Sequence, residues 1–283
     1  MSQITELDSV ERPTLSDEAF QRIATIAKGN WGLHLEENKR PLVTARLSKR
    51  VTATGVSSFA DYIALIEAGD AAECDHFVSA LTTNVTHFFR EQHHFDYLAE
   101  TVAPALQGHR SVRVWSAGCS TGQEPYSIAA TLSRALPKAS DLRILATDVD
   151  QDVLHKAEGG TYPAAEVVFP SPALEAQVFG TKERGPNRSV RPELRSMVTF
   201  RRLNLIQPWP VSGAFDAIFC RNVAIYFDKP TQAGLWQRFA SHLKPNGHLF
   251  IGHSERVEHP ETLGLQPAGI TLYRKSLALD GGR

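Results

Sequence analysis

Sulfur is scarce in this chain, with three cysteines and two methionines in 283 residues. Cys74, Cys119 and Cys220 show none of the paired spacings of a zinc site or a redox dithiol, so reduced, unbridged thiols are expected. Neither sign of charge is in excess: 30 Lys and Arg stand against 31 Asp and Glu, a net of −1, and no global field favours nucleic acid or an anionic membrane. No apolar run approaches the ~18 to 20 residues that span a bilayer. Met1 to Leu15 lacks the basic stretch followed by an apolar core that marks a secretory signal. A soluble cytoplasmic protein without membrane insertion is expected. The eleven histidines are scattered. The adjacent His93 and His94 would point about 100° apart on a helix, and no His-Glu-x-x-His spacing occurs, so no metal is expected. Ser254, in Gly252-His253-Ser254-Glu255, does not sit in the G-x-S-x-G elbow of hydrolases. Internal repeats and low-complexity tracts are also missing.

What is present is concentrated in Ser111 to Tyr126, SVRVWSAGCSTGQEPY. A β-branched run with Val112, Val114 and Trp115 ends in the small residues Ala117-Gly118-Cys119-Ser120-Thr121-Gly122, and Glu124-Pro125 opens an amphipathic helix over Tyr126 to Leu136. Proline suits a first helical turn because its missing N–H has no intrahelical partner there. A strand turning tightly into a helix sets backbone N–H groups at the carboxyl edge of a sheet, where a polar cofactor approaches closely. About 30 residues past Gly118, the strand Leu142 to Thr147 ends on Asp148, placed to accept hydrogen bonds from both hydroxyls of a ribose. Only three residues separate Gly118 from Gly122, so the dinucleotide fingerprint G-x-G-x-x-G is not matched. A ribose-bearing cofactor without a pyrophosphate, such as S-adenosylmethionine (SAM), suits this pattern.

Around that unit the chain changes character. From Ser16 to about Leu81 the apolar spacing is helical, in four segments through Phe20 and Ile23, Leu42 to Val51, Ser58 to Ile66, and Phe77 to Leu81. From Ser111 strands and helices alternate, the signature of a parallel doubly wound sheet. Further strands are expected at Val198 to Leu205, Phe215 to Cys220, His248 to Gly252 and Ile270 to Arg274, with a helix over Thr231 to Leu243. Tyr162 to Arg195 is rich in proline, glycine and charge and breaks the rhythm, so an insertion with a short antiparallel sheet is expected. The expected organisation is a helical N-terminal domain over 1–84, a connecting helix or linker over 85–108, and a Rossmann-like α/β domain over 109–283 with its insertion at about 162–197.

Two further constellations carry polar groups. In Leu81 to Glu91, LTTNVTHFFRE, Asn84, Thr86 and Arg90 fall at helical spacings, which fits an interdomain helix with one solvated face or a row of site residues. In Phe215 to Phe227, a buried strand ends on Arg221-Asn222 and leads to Tyr226. These polar groups are either ligand contacts at the carboxyl edge of a parallel sheet, or a capping Asn and a core Tyr.

Taken in order, TTNVTHFFRE, VWSAGCSTGQEPYSIA, ATDVD, FDAIFCRNVAIYFDK and LFIGHSE resemble the chemotaxis receptor methyltransferases, the CheR family, across nearly the whole chain. The resemblance implies methyl transfer from SAM, leaving S-adenosylhomocysteine, to glutamate side chains of chemoreceptor cytoplasmic domains. It also implies a small β-subdomain inserted in the methyltransferase domain. By motif position it implies that Asn84, Thr86, Arg90, Gly118, Glu124, Asp148, Asn204, Leu205, Arg221 and Asn222 bind the cofactor. Glu124 would approach its methionine moiety, Asp148 its ribose, and Asn204-Leu205 with Arg221-Asn222 its adenosyl part. Arg90 and Tyr226 are the implied catalytic pair. A base-amino methyltransferase is disfavoured because Arg221-Asn222-Val223-Ala224 lacks an Asn/Asp-Pro-Pro-aromatic turn, and no nucleic-acid partner is expected. The competing function is a non-catalytic sensor that binds SAM or its product. Lys39 to Arg50 holds five basic residues, and Lys39, Arg46 and Arg50 share a helical face, which is either solvated surface or a reader of acidic receptor helices. A monomer is expected.

Overall fold

The computed structural model describes residues 14–136, 141–180 and 185–276, and the chain divides into two compact units, Met1–Thr83 and Asn84–Arg283. The first unit is helical. Its helices α1 (Asp17–Trp31), α2 (Arg40–Thr54), α3 (Phe59–Glu67) and α4 (Ala71–Leu81) begin and end on local signals. Side chains of Ser16, Ser58 and Asp70 accept from the backbone N–H of Ala19, Asp61 and Glu73, as N-caps do. Phe20, Ile23, Val43, Leu47, Tyr62, Ile63, Phe77 and Val78 are buried as its core.

The basic face expected on α2 is largely committed within this unit. Arg46 donates to the carbonyls of Ala80 (3.2 Å) and Thr82 (2.8 Å) and to Thr83 Oγ1 (2.9 Å), capping the end of α4. Arg50 grips buried Glu73 through two bonds of 2.9 and 2.6 Å, and Tyr62 donates to the same carboxylate at 2.7 Å. Lys39, at the start of α2, is exposed. The three residues therefore do not form one free guanidinium and ammonium face.

The second unit begins where a connecting helix was expected. Residues 84–92 are not helical, because Phe89 and Glu91 take φ of 55° and 57°, which a right-handed helix excludes. Helix α5 (His93–Tyr97) then runs through one π-helical turn at Leu98–Val102 into α6 (Ala103–Ala105). Phe88, Phe89, Phe95, Leu98 and Val102 are buried in the core of this unit, so the segment 85–108 is part of it and not a spacer.

Strands β1 (Val112–Ala117) and β2 (Leu142–Asp148) flank helix α7 (Gln123–Ala135), which begins three residues earlier than its apolar pattern suggests. Helix α8 (Gln151–Gly159) follows, capped by Asp150. The insertion holds β3 (Thr161–Pro163), helix α9 (Pro172–Phe179), β4 (Asn187–Ser189) and the short helix α10 (Pro192–Arg195), with β3 and β4 paired antiparallel. The chain returns through β5 (Val198–Arg202), β6 (Phe215–Cys220), α11 (Lys229–His242), β7 (Leu243–Ile251), β8 (Leu265–Gly269) and β9 (Leu272–Lys275).

The seven-stranded sheet has the order β5-β2-β1-β6-β7-β9-β8, parallel up to β7 and antiparallel after it. Each strand residue of β6 is buried, as a strand covered on both faces requires. The chain moves outward from β1 through β2 to β5, then returns to the other side of β1 at β6. Ligands bind in the crevice at such a switch point, beyond the carboxyl ends of the strands. The end of β2 and the loops after β1 and β6 carry Asp148, Gly118 and Arg221 to that edge.

Candidate active site

The turn after β1 is tightened by three residues with left-handed backbone, Gly118 (φ 82°), Ser120 (φ 48°) and Gly122 (φ 95°). A side chain at Gly122 would meet Ala157 Cβ at 2.9 Å, so glycine is needed for the helix to approach. Asp148 faces this turn. Its Oδ2 accepts from Ser120 N–H at 2.8 Å and its Oδ1 from Asp150 N–H at 3.1 Å. Burial pushes the carboxyl up to about 6, against the opposing pull of the backbone N–H groups of Asp150, Ser120 and Val149. A carboxylate has about four acceptor directions, so these bonds leave room for a ribose hydroxyl.

The segment from Asn84 to Arg90 is tied to the same turn. Ser120 Oγ donates to the Asn84 carbonyl (3.0 Å), and Asn84 Nδ2 donates to Asp150 Oδ2 (2.9 Å). Phe89 N–H donates to Ser127 Oγ on α7 (3.0 Å). Arg90 is half-buried, with one guanidinium nitrogen donating to the Val85 carbonyl at 3.0 Å. Thr86 lies between these anchors, half-buried.

Arg221, at the end of β6, is buried and holds the centre. It donates through Nη2 to the Arg90 carbonyl and through Nη1 to Glu124 Oε2 at 3.3 Å, lies 3.4 Å from Glu91 Oε2, and its guanidinium carbon is 5.6 Å from the Phe95 ring centroid. Glu124 also accepts from Ser116 Oγ at 2.7 Å. Burial raises the Glu124 carboxyl, and Arg221 opposes that rise. The Arg221 side chain is thus engaged by protein groups, while Asn222 beside it takes φ 59°.

That turn is set by a residue that the sequence reading passed over. Glu255 is buried and accepts from four backbone N–H groups: Asn222 (3.0 Å), Val223 (2.9 Å), Ala224 (2.7 Å) and Gly252 (2.5 Å). Its only sequence signal was a lone carboxylate after the strand in the GHSE motif. Tyr226 follows in the single turn Ala224–Tyr226. Leu203 N–H donates to the Asp148 carbonyl at 2.9 Å, which brings Asn204 and buried Leu205 beside the end of β2.

His93 and His94 do not diverge. Their donor atoms and that of Glu91 lie within 4.8 Å of one another. The positive charge that such a trio would attract is already supplied by Arg221 beside Glu91. Cys119 and Cys220 are buried thiols, and burial pushes both well up, so neither offers a thiolate.

Comparison with known proteins covers most of the chain. Residues 84–270 match the family model described as CheR methyltransferase, SAM binding domain, and residues 18–82 the one described as CheR methyltransferase, all-alpha domain. A probable chemotaxis protein methyltransferase of Rhizobium etli is 46% identical over 86% of this chain and 94% of its own length. The chemotaxis protein methyltransferase of Salmonella typhimurium is 45% identical over 89% of this chain and 88% of its own. That of Escherichia coli is 42% identical over 90% of both.

Proposed function

The chain belongs to the CheR methyltransferase family, and from that premise we propose that it methylates glutamate side chains on chemoreceptor cytoplasmic domains, acting in the cytoplasm as a monomer. It is a SAM-dependent methyltransferase. No helix among the described residues is long and apolar enough to cross a membrane. The observation that carries the reading is the bridge made by Arg221, which joins the backbone of Arg90 to Glu124. One buried cation thereby fixes the spacing between an acceptor-side loop and a cofactor-side helix start.

SAM supplies an electrophilic methyl group. Asp148 would hold its ribose, Glu124 its methionine part, and the stretches Asn204-Leu205 and Arg221-Asn222 its adenosyl part, with Asn84, Thr86 and Gly118 shaping the pocket. A glutamate has a pKa of ~4.3 and is already anionic at neutral pH, so no residue needs to act as base. The chain's task is positioning, with reacting atoms brought to ~3 to 3.5 Å. Arg90 orients the acceptor carboxylate by a charge-assisted hydrogen bond. Its grip must stay moderate, because pairing that favours the ground state slows transfer. Tyr226 completes the orientation. Of the basic residues Lys39, Arg46 and Arg50, exposed Lys39 and half-buried Arg46 steer receptor approach. Arg46 caps carbonyls and keeps its net charge, whereas Glu73 cancels that of Arg50.

Incubation with methyl-labelled SAM and receptor cytoplasmic domains tests this reading. Base-labile label on receptor glutamates is the expected result. SAM binding without label on any receptor would leave a sensor in its place.

A further inference from the structure

Arg90 sits between two residues with left-handed backbone, Phe89 at φ 55° and Glu91 at φ 57°. Such backbone is costly for a non-glycine residue, so the turn persists only where its surroundings impose it. On one side the imposition is plain: the Phe89 ring is buried and its N–H donates to Ser127 Oγ. On the other side it falls to the Glu91 side chain.

That carboxylate is 11% exposed. Its Oε1 accepts from the backbone N–H of His253 (3.3 Å) and from His253 Nδ1 (3.2 Å). Its Oε2 lies 3.6 Å from His94 Nδ1 and 3.4 Å from Arg221 Nη2. The tautomer of His94 decides which of these counts. Thr271 Oγ1 gives its hydrogen to the Ile270 carbonyl (2.8 Å), so it accepts from His94 Nε2 (3.0 Å), as the Ile270 carbonyl also does (3.2 Å). The hydrogen of the neutral ring is therefore on Nε2, and Nδ1 turns a lone pair toward Glu91. His94 gives Glu91 Oε2 no proton, and both atoms are buried without a hydrogen-bond partner. Among the described residues, the charge on Oε2 is met by Arg221.

Arg221 in turn is shared between Glu91 and Glu124 while it holds the Arg90 carbonyl. With Glu91 neutral, the pull on the guanidinium would come from Glu124 alone, and its hold on the Arg90 carbonyl would slacken. We propose that Glu91 is the positioning residue that aims Arg90 at the acceptor carboxylate, through the shared Arg221 and through the backbone turn that it pins to His253. This rests on the role given above to Arg90.

The test is a double-mutant cycle on receptor methylation, with SAM affinity measured separately by calorimetry. Glu91→Gln lowers kcat about tenfold or more, the scale of a small misplacement of a reacting group, and leaves SAM affinity within about twofold. Combined with Arg90→Ala it is no slower than Arg90→Ala alone, because both changes remove one function. His253→Ala removes the ring contact to Oε1 from a side chain 67% exposed, so it does not threaten the fold, and it lowers kcat in the same direction. It stands in if Glu91→Gln does not fold. Normal kcat in Glu91→Gln, normal kcat in His253→Ala, a loss that multiplies onto that of Arg90→Ala, or SAM affinity falling in step with kcat would each overturn the proposal. If Arg90→Ala slows transfer while Glu91→Gln does not, the proposal alone fails. If Arg90→Ala itself turns over normally, the role of Arg90 fails and Glu91 has nothing to aim.

Discussion

Val223 fills the space that a side chain at Gly118 would need: a Cβ there would lie 2.2 Å from Val223 Cγ2. The turn after β6 is thus packed against the turn after β1, and Glu255 holds the former in place through Asn222, Val223 and Ala224. Gly118 also has φ 82°, so its need for glycine is both spatial and conformational.

Gly118→Ala should therefore weaken SAM binding at least tenfold, since backbone strain of about 1 to 2 kcal/mol adds to displacement of Val223. Calorimetry on the folded variant checks this. Unchanged affinity would mean that the two turns can separate without disturbing the pocket.

Cofactor affinity should depend on pH through Asp148, whose carboxyl is pushed up to about 6 mainly by burial. If it holds the ribose as proposed, it accepts from both hydroxyls when ionised above that value, and as pH falls through about 6 the SAM Kd should rise. Asp148→Ala should weaken binding by about 1.5 to 3 kcal/mol, the scale of hydrogen bonds to a charged group, and should flatten the profile. The stability effect has the opposite sign. A folded pKa above the ordinary 3.8 favours the folded state at low pH, and that contribution disappears as pH rises from 3.8 through about 6. A SAM Kd that is level from pH 5 to pH 8 would remove Asp148 from the site.

In the helical unit, Arg50→Ala should destabilise by about 2 to 3 kcal/mol, because it strips the ion pair from buried Glu73. Burial pushes Glu73 up, but its bonds from Arg50 and Tyr62 outweigh this and hold its carboxyl below the usual range. The contribution is therefore present above the unfolded pKa and lost as pH falls through the folded one. Denaturant unfolding of the wild type and variant at neutral and acidic pH checks this. Equal midpoints at neutral pH would return Arg50 to the surface.

Much of the fold was legible because its signals are local. The ends of β1, β2 and β6 follow from buried β-branched and aromatic runs that stop at small or polar residues, as at Ala117, Asp148 and Cys220. Less was legible where distant partners decide. Asn84, Thr86 and Arg90 have helical spacing, yet the segment is held open by Ser120, Ser127 and Arg221, all remote in sequence. Arg50 read as a free charge because Glu73, its partner, is 23 residues away. Strand β8 is largely exposed along its length and gave no alternating pattern. Helix α9 did carry a local signal, Ser171 followed by Pro172, but in a proline-rich stretch read as irregular.

The most direct test of a two-sided site is methyl transfer to a receptor cytoplasmic domain by the wild type, Asp148→Ala and Arg90→Ala over a wide range of SAM concentration. Products are mapped as glutamate methyl esters by mass spectrometry. The account predicts esters on receptor glutamates from the wild type, recovery of Asp148→Ala as SAM is raised, and no recovery of Arg90→Ala at any SAM concentration. Wild-type protein that binds SAM and esterifies no glutamate would contradict it.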